Sequence, residues 1–415
     1  MKYFSVYLIS LLSFSVFSQG LVLSTSDEMN QIELYDTESL GFAIDAPSSY
    51  SLERYVPEVV EQDGGTCVGY AAFYYGLSTM YNERFGVTSS KGKLAHSFDP
   101  NFIYSIIQNQ IDYNCDEGLH FYEAFDLLKR IGAKKLFFTP FVDCNSTWNN
   151  SLLDNLAEYT LPYAIEEYYH FKLDNPRLIE NMKSAISNNH PLFGAFNFVN
   201  SLYSFSSDNP NGVDYTGLWT PNQYEEIDGG HAMSIVGYDD YKYGGSFRVV
   251  NSWGKNYGDN GYIWMRYSDF KKFAKEIYFF VLNEGIMNSG SNPQIDINNY
   301  TRINLDRGGN YEGQYSFREF NGLGILSNSR NNWYVIGDFT PELNGSIIYI
   351  DDDGIFTGYA ENDKIIELES YGFASSEKVD QNTKNLSEHI KKAGLNYSIR
   401  KANSTKTNSI DFDYK

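Results

Sequence analysis

Cys67, His231 and Asn251 are the side chains in this sequence whose types and surroundings point to chemistry. Cys67 follows a glycine-rich turn in EQDGGTCVGYAAFYYGL and opens a helix-like run. His231 lies in GGHAMSIVGYD, and Asn251 follows further along in RVVNSWGKNYGDNGYIW. The stretches Ala232–Gly237 and Phe247–Val250 are apolar and β-type, and a turn-rich link from Asp239 to Ser246 joins them. Adjacent strands of this kind deliver an imidazole and an amide side by side, so that the amide holds the ring in one orientation. A thiol completes the set. It attacks a carbonyl only as thiolate, and both a neighbouring histidine and a helix N-terminus favour that form. The chemistry these residues suit is acyl transfer through sulfur, with the histidine moving the proton.

The Cys67 segment, GGHAMSIVGYD and NSWGKNYGDNGYIWM together resemble the papain-like cysteine peptidases, which share the order Cys, then His and Asn far downstream. FDPNFIYSI (98–106) is similar to the family's segment after the central helix, and KSAISNNHPLFGAF (183–196) to its helix-turn-strand along one wall of the cleft. The resemblance runs from about Ala46 to Asn283. It implies an α+β, papain-like two-lobe fold, with a helical lobe and a β-barrel-like lobe, that hydrolyses peptide or protein substrates without a cofactor. Carried onto this chain, His231 takes the Cys67 proton and returns it to the leaving amine. Asn251 fixes the productive tautomer, and Trp253 shields that hydrogen bond from water. The Cys67 backbone N–H and the Gln62 side chain then stabilise the oxyanion. Gln62 departs from the pattern. It stands five positions before Cys67 where the family's glutamine stands six before, and Glu61 occupies that place. A carboxylate at Glu61 has no proton to donate. Gly64 and Gly65 give the backbone a tighter path by which Gln62 still reaches.

The remaining sequence bounds this reading. The net charge of −21 repels phosphate backbones and anionic membranes, which excludes nucleic acid as the expected partner. Residues 1–18 read as a signal peptide: Lys2, an apolar run from Tyr3 to Phe17, and small residues at the cleavage positions. That run is too short to span a bilayer, so the mature chain is expected to begin at Gln19, to lack a membrane span and to be secreted or periplasmic. With Cys67 assigned to chemistry, Cys115 and Cys144 are a candidate disulfide in that compartment, and two free buried thiols are the alternative. Zinc lacks a fourth ligand beside Cys115, Cys144 and His120, so no metal site is expected. The other histidines, His96, His120, His170, His190 and His389, carry no motif and default to structural or surface roles.

Elements that position the chemistry follow from periodicity. Cys67–Phe85 reads as a helix with Val68, Ala71, Ala72, Tyr75 and Thr79 on one face. Its small residues suggest close packing on both sides, because each interior glycine costs ~1 kcal/mol of helix propensity. Shorter helices are expected at Asn101–Gln110 and Phe121–Ile131. Residues 19–45 form a short N-terminal segment with no helical periodicity, too short for the long helical propeptide usual in the resembled family. The peptidase domain spans 46–287, and a linker covers 288–300. Residues 301–373 carry a repeat in which Asn321-Gly322 and Asn344-Gly345 recur among alternating aromatics. It resembles MORN-type repeats, and Asn-Gly predicts tight hairpin turns. This separate all-β domain is a candidate surface for a protein or surface partner. Residues 374–415 read as a helix around 386–393 and a polar tail. Two other functions stay open at this point, a non-catalytic binding or adhesion protein on a peptidase fold and a transglutaminase-like acyl transferase.

Overall fold

The computed structural model describes residues 20–283 and 300–369 apart from short internal stretches, the longest 204–216, together with Leu386 and Glu388. The expected signal peptide, linker and polar tail lie outside the described residues. Between them the chain mixes helix and sheet. A helical run from Cys67 to Arg84 is assembled from an α-turn (Cys67–Gly69), a π segment (Tyr70–Leu77) and an α-helix (Ser78–Arg84). Every residue from Cys67 to Asn82 is buried, so this helix is enclosed on all sides and not along one face. Its glycines explain how it fits. A Cβ at Gly69 would collide with the carbonyl of Pro100, and one at Gly76 with the ring of Phe193.

The shorter helices follow their sequence signals. Phe121–Ile131 buries Phe121, Ala124, Phe125, Leu127 and Leu128, carries Glu123 in its first turn and Lys129 and Arg130 in its last, and ends at Gly132 with φ 74°. The helix expected over Asn101–Gln110 ends at Ile107.

Beside the central helix lies an antiparallel sheet. Its strands run in the order β2 (Ile165–His170), β7 (Ala274–Leu282), β3 (Leu192–Val199), β4 (Ile227–Asp239), β5 (Ser246–Val250) and β6 (Tyr262–Arg266), with β1 (Ser49–Ser51) pairing β4. One row of its register sets Phe193, Ser234 and Val250 side by side, and another sets Glu276, Ala195 and Ala232 in line.

A second sheet is a seven-stranded meander: β8 (Tyr300–Asn304), β9 (Gly309–Ser316), β10 (Glu319–Asn328), β11 (Trp333–Phe339), β12 (Leu343–Asp351), β13 (Gly354–Glu361) and β14 (Lys364–Glu369). Here the structure corrects the hairpin reading of Asn-Gly. Gly322 (φ 88°) lies within β10, where pairing to β9 slips between Phe320 and Gly324. Gly345 (φ 89°) lies within β12, where pairing to β11 slips between Ile336 and Asp338. The positive φ makes β-bulges inside the strands. Reversals of direction carry Asn332 (φ 51°) and Asn362 (φ 49°) instead.

This sheet does not stand apart. Glu312 of β9 accepts hydrogen bonds from the hydroxyls of Tyr81 and Tyr163, and lies 3.2 Å from His96 Nδ1 and 3.8 Å from Lys135 Nζ. Tyr334, Ile336, Ile350 and Leu386 join the same hydrophobic core as Tyr74 and Leu136.

Candidate active site

The order of the sheet brings the expected residues together. His231 stands on β4 and Asn251 directly follows β5, the neighbouring strand, so His231 Nε2 and Asn251 Oδ1 meet at 2.7 Å. Asn251 Oδ1 also accepts the Ser252 N–H at 2.8 Å, which fixes its lone pairs. With Nε2–H donating to Asn251, Nδ1 is the ring's proton acceptor. Trp253 stacks on the imidazole with ring centroids 4.3 Å apart and planes 22° from parallel. It is itself edged by Phe198 and Tyr257. The indole therefore covers the ring where the sequence expects a shield.

Cys67 opens the central helix, and its sulfur is reached by the backbone N–H of Ala232, the residue after His231. Burial dominates nonetheless. The thiol is wholly enclosed and pushed up to about 12, while enclosure of His231 pushes its imidazole down to about 4 against the hydrogen bond to Asn251, which favours the charged ring. In this arrangement the pair is a thiol and a neutral imidazole.

Residues Gly20–Ser24, to which sequence alone assigns no role, pass between the glycine turn ahead of Cys67 and the strand that carries His231. Leu21 pairs with Leu119 in parallel, Leu119 N–H donates to Gly20 O (2.9 Å), and Val22 N–H donates to Leu119 O (3.0 Å). A Cβ on Gly20 (φ 56°) would overlap the carbonyl of Gly65, two residues before Cys67, and one on Gly118 would meet the backbone of Gly20. Leu21 lies 3.1 Å from the Cβ position of Gly230, beside His231. Ser24 then donates its N–H and its hydroxyl to the two carboxylate oxygens of Glu276, at 2.5 and 3.1 Å. Glu276 is 3% exposed and also accepts the Tyr278 hydroxyl at 2.7 Å. Close glycine-to-glycine approach was the available signal, but it is unreadable without knowing which glycines meet.

Gln62 lies on the short stretch that pairs with Ser252–Gly254. Its N–H donates to Ser252 O (2.7 Å), and Gly254 N–H donates to Val60 O (3.1 Å). Its side-chain oxygen accepts the Ser252 hydroxyl at 2.6 Å, and its amide nitrogen donates to Gly64 O at 2.7 Å. One amide hydrogen is thus spent within the glycine turn, and the second is left for other use. Cys115 and Cys144 are disulfide-bonded with Cα atoms 5.9 Å apart. The bridge bears on the site, because Cys115 O accepts the N–H of Gly65 and packs on Gly64. No cluster of potential metal ligands occurs among the described residues, and no helix among them is long and apolar enough to cross a membrane.

The sequence model of the papain family cysteine proteases matches residues 105–279. That stretch holds His231 and Asn251 and begins after Cys67. The chain is 24% identical over 230 residues to cathepsin B-like CP3 of Giardia intestinalis, covering 53% of this chain and 69% of that protein. Among solved structures it is similar to xylellain, a cysteine protease from Xylella fastidiosa, at 21% identity and a TM-score of 0.48, covering 64% of this chain and 96% of that one. It is also similar to procathepsin B S9 from Trypanosoma congolense, at 15% identity and a TM-score of 0.47, covering 64% and 88%. The match over residues 105–279 supports a papain-family cysteine protease domain there, and with it a cysteine peptidase, a hydrolase of peptide bonds.

Proposed function

We propose that this chain is an exported cysteine peptidase, working through Cys67 and His231 with Asn251 as orienter, and held silent by its own residues Gly20–Ser24. The observation that carries this reading is the 2.7 Å His231–Asn251 hydrogen bond on a strand whose next N–H reaches the Cys67 sulfur. When the segment leaves, water and substrate enter, the desolvation that opposes charge is relieved, and the proton passes from Cys67 Sγ to His231 Nδ1. The thiolate attacks the carbonyl carbon of the scissile bond. The resulting oxyanion is held by the Cys67 N–H and the second amide hydrogen of Gln62. Collapse expels the amine, which takes the proton from His231, and leaves a thioester. Water, deprotonated by His231, then cleaves that thioester to a carboxylic acid and the free thiol.

The segment also supports a reading of substrate preference. Glu276 is a buried carboxylate that accepts hydrogen bonds from Ser24 and Tyr278, both neutral donors. Once Ser24 withdraws, that charge faces the cleft and favours a basic substrate side chain, since a buried charge is costly unless paired. Export rests on the sequence of residues 1–18 and agrees with a disulfide between Cys115 and Cys144. The C-terminal meander, with its repeated bulges and packed aromatics, supports the MORN-type reading and a role in binding a protein or surface partner.

Replacing Cys67 or His231 by alanine is expected to abolish both peptide hydrolysis and labelling by an epoxide probe while the far-UV spectrum is kept. Unchanged hydrolysis by folded Cys67→Ala overturns the proposal.

A further inference from the structure

The central helix and β4 must hold one register if the Cys67 sulfur is to face the His231 ring, yet most of what joins them is apolar packing. Gly76 against Phe193 of the neighbouring β3 sets how closely the helix approaches the sheet, but van der Waals contact resists sliding only weakly. Among the described residues, two directional links cross this boundary. One is the Ala232 N–H to the Cys67 sulfur. The other is the hydroxyl of Ser234, fully buried, which donates to the carbonyl oxygen of Ala71 at 2.5 Å.

The two links are commensurate. Ala232 and Ser234 are two residues apart on a strand, ~6.6 Å at ~3.3 Å per residue. Cys67 and Ala71 are four apart on a helix, ~6 Å at ~1.5 Å per residue, and on one face. Helix and strand therefore run alongside each other, pinned at matched intervals. Ala71 lies in the π segment, where a side chain can insert into the backbone ladder. Ser234 also shares its row with Phe193, which meets Gly76, and with Val250, which directly precedes Asn251.

We infer that Ser234 is a positioning residue for the reaction: its hydroxyl sets the register of the Cys67 helix on the strand that carries His231. The inference rests on the Cys67–His231 reading above. Its loss lets the thiol drift from the imidazole, and a displacement of ~1 Å in such a site costs up to ~100-fold in rate.

The test is Ser234→Ala and Ser234→Thr in the full chain activated by Gly20→Ala, each compared with Gly20→Ala alone and read by kcat and KM on a short peptide and by the pH dependence of Cys67 alkylation with iodoacetamide. Ser234→Ala is expected to lower kcat about 10- to 100-fold, with KM within about twofold. It should also move the acid limb of the alkylation profile toward that of an ordinary thiol, because the ion pair no longer forms. Ser234→Thr keeps the hydroxyl and is expected to restore both. An alanine variant with an unchanged profile and kcat overturns the inference. So does a threonine variant that stays as impaired as alanine despite an unchanged melting temperature. Where the alanine variant fails to fold, Ser234→Cys, of similar size but a poor donor, is compared with Ser234→Thr by the same readouts. Hydrolysis persisting in Cys67→Ala removes the dyad itself, and the role of Ser234 falls with it.

Discussion

Gly20→Ala is expected to activate the chain, and its size follows from what holds the segment in the cleft. Burial of Leu21 contributes ~2 kcal/mol. The two backbone bonds to Leu119 add ~1 kcal/mol each, and the paired bonds from Ser24 to the Glu276 carboxylate add ~2–3 kcal/mol together. Against this, ordering five residues costs ~1–2 kcal/mol apiece. The terms cancel to within a few kcal/mol, so a perturbation of that size decides between the closed and open states. At Gly20 the backbone has φ 56°, and an added methyl would overlap the Gly65 carbonyl. The left-handed conformation alone costs a non-glycine residue ~1–2 kcal/mol, and relieving the overlap adds to it. A shift of ~1.4–2.8 kcal/mol moves the closed-to-open ratio about 10- to 100-fold. The assay is the rate of Cys67 alkylation by iodoacetamide at pH 7, followed by mass spectrometry. Gly20→Ala should react faster than the parent chain, by up to about 10-fold where the parent's closed state leads by ~1.4 kcal/mol. Leu21→Asp, which places a charge where Leu21 is 8% exposed, should act in the same direction. Equal rates in all three chains, or a parent thiol that reacts as fast as a free cysteine, would refute the reasoning.

Three further outcomes are expected. Cys144→Ser opens the disulfide and should cost ~3–4 kcal/mol in urea unfolding, as the chain-entropy estimate for a closed loop of about 30 residues gives. It should also lower activity, because Cys115 O holds Gly65 ahead of Cys67, and a cost under ~1 kcal/mol would show the bridge to be slack. Stability should fall as pH drops from about 6.5 to about 4: His231 and His190 are both pushed down to about 4 by burial, so in that window the unfolded chain binds more protons than the folded one. The slope should approach ~2.7 kcal/mol per pH unit for two histidines. A His190→Asn chain should show about half that slope in urea midpoints measured from pH 7 to 4, and an unchanged slope would remove His190 from the account. In an activated chain, Glu276→Gln should cut the kcat/KM ratio of basic over apolar peptides ~10-fold or more, as loss of a charge-assisted hydrogen bond implies. An unchanged ratio would place the basic preference elsewhere.

Much of the site was legible because its geometry is carried by local patterns. Apolar β-type runs on either side of a turn placed His231 and Asn251 on neighbouring strands, and a glycine turn before a helix placed Cys67 at its start. The Phe121–Ile131 helix was readable from one apolar face and the glycine after it. The central helix was readable as a helix but not as one enclosed on every side, since its π segment and the partners of Gly69 and Gly76 come from Pro100 and Phe193, distant in sequence. For the same reason Gly20–Ser24 read only as a polar lead-in. Its meaning depends on Gly65, Gly118 and Gly230 converging on it. Asn-Gly in the repeats misled in a different way. A positive φ serves a bulge as well as a hairpin turn, and only the register with neighbouring strands tells the two apart.

His96 shows how a residue without a motif acquires a role through folding, and with it the C-terminal sheet acquires one. Its ring lies 3.2 Å from Glu312, whose carboxylate also receives the hydroxyls of Tyr81 and Tyr163. Lys135 completes the group, 3.8 Å from Glu312 and seated over the rings of Tyr81 and Phe98. All these groups are buried, and an ionic cluster of this kind is costly to break because each charge left behind is stranded, at ~3–5 kcal/mol for one lost partner. Glu312 belongs to β9, whereas Tyr81 lies on the helix that begins at Cys67. Tyr334 of β11 joins the same region, its ring edge-on to His96 and its hydroxyl 3.2 Å from Ser89 Oγ. The meander therefore braces the far end of the helix that presents the thiol, while Ser234 fixes its near end. Removing residues 300–369 would leave Lys135 without the carboxylate it faces and expose the apolar surface under Tyr334 and Ile336. The sheet is thus part of what keeps the helix that begins at Cys67 in place.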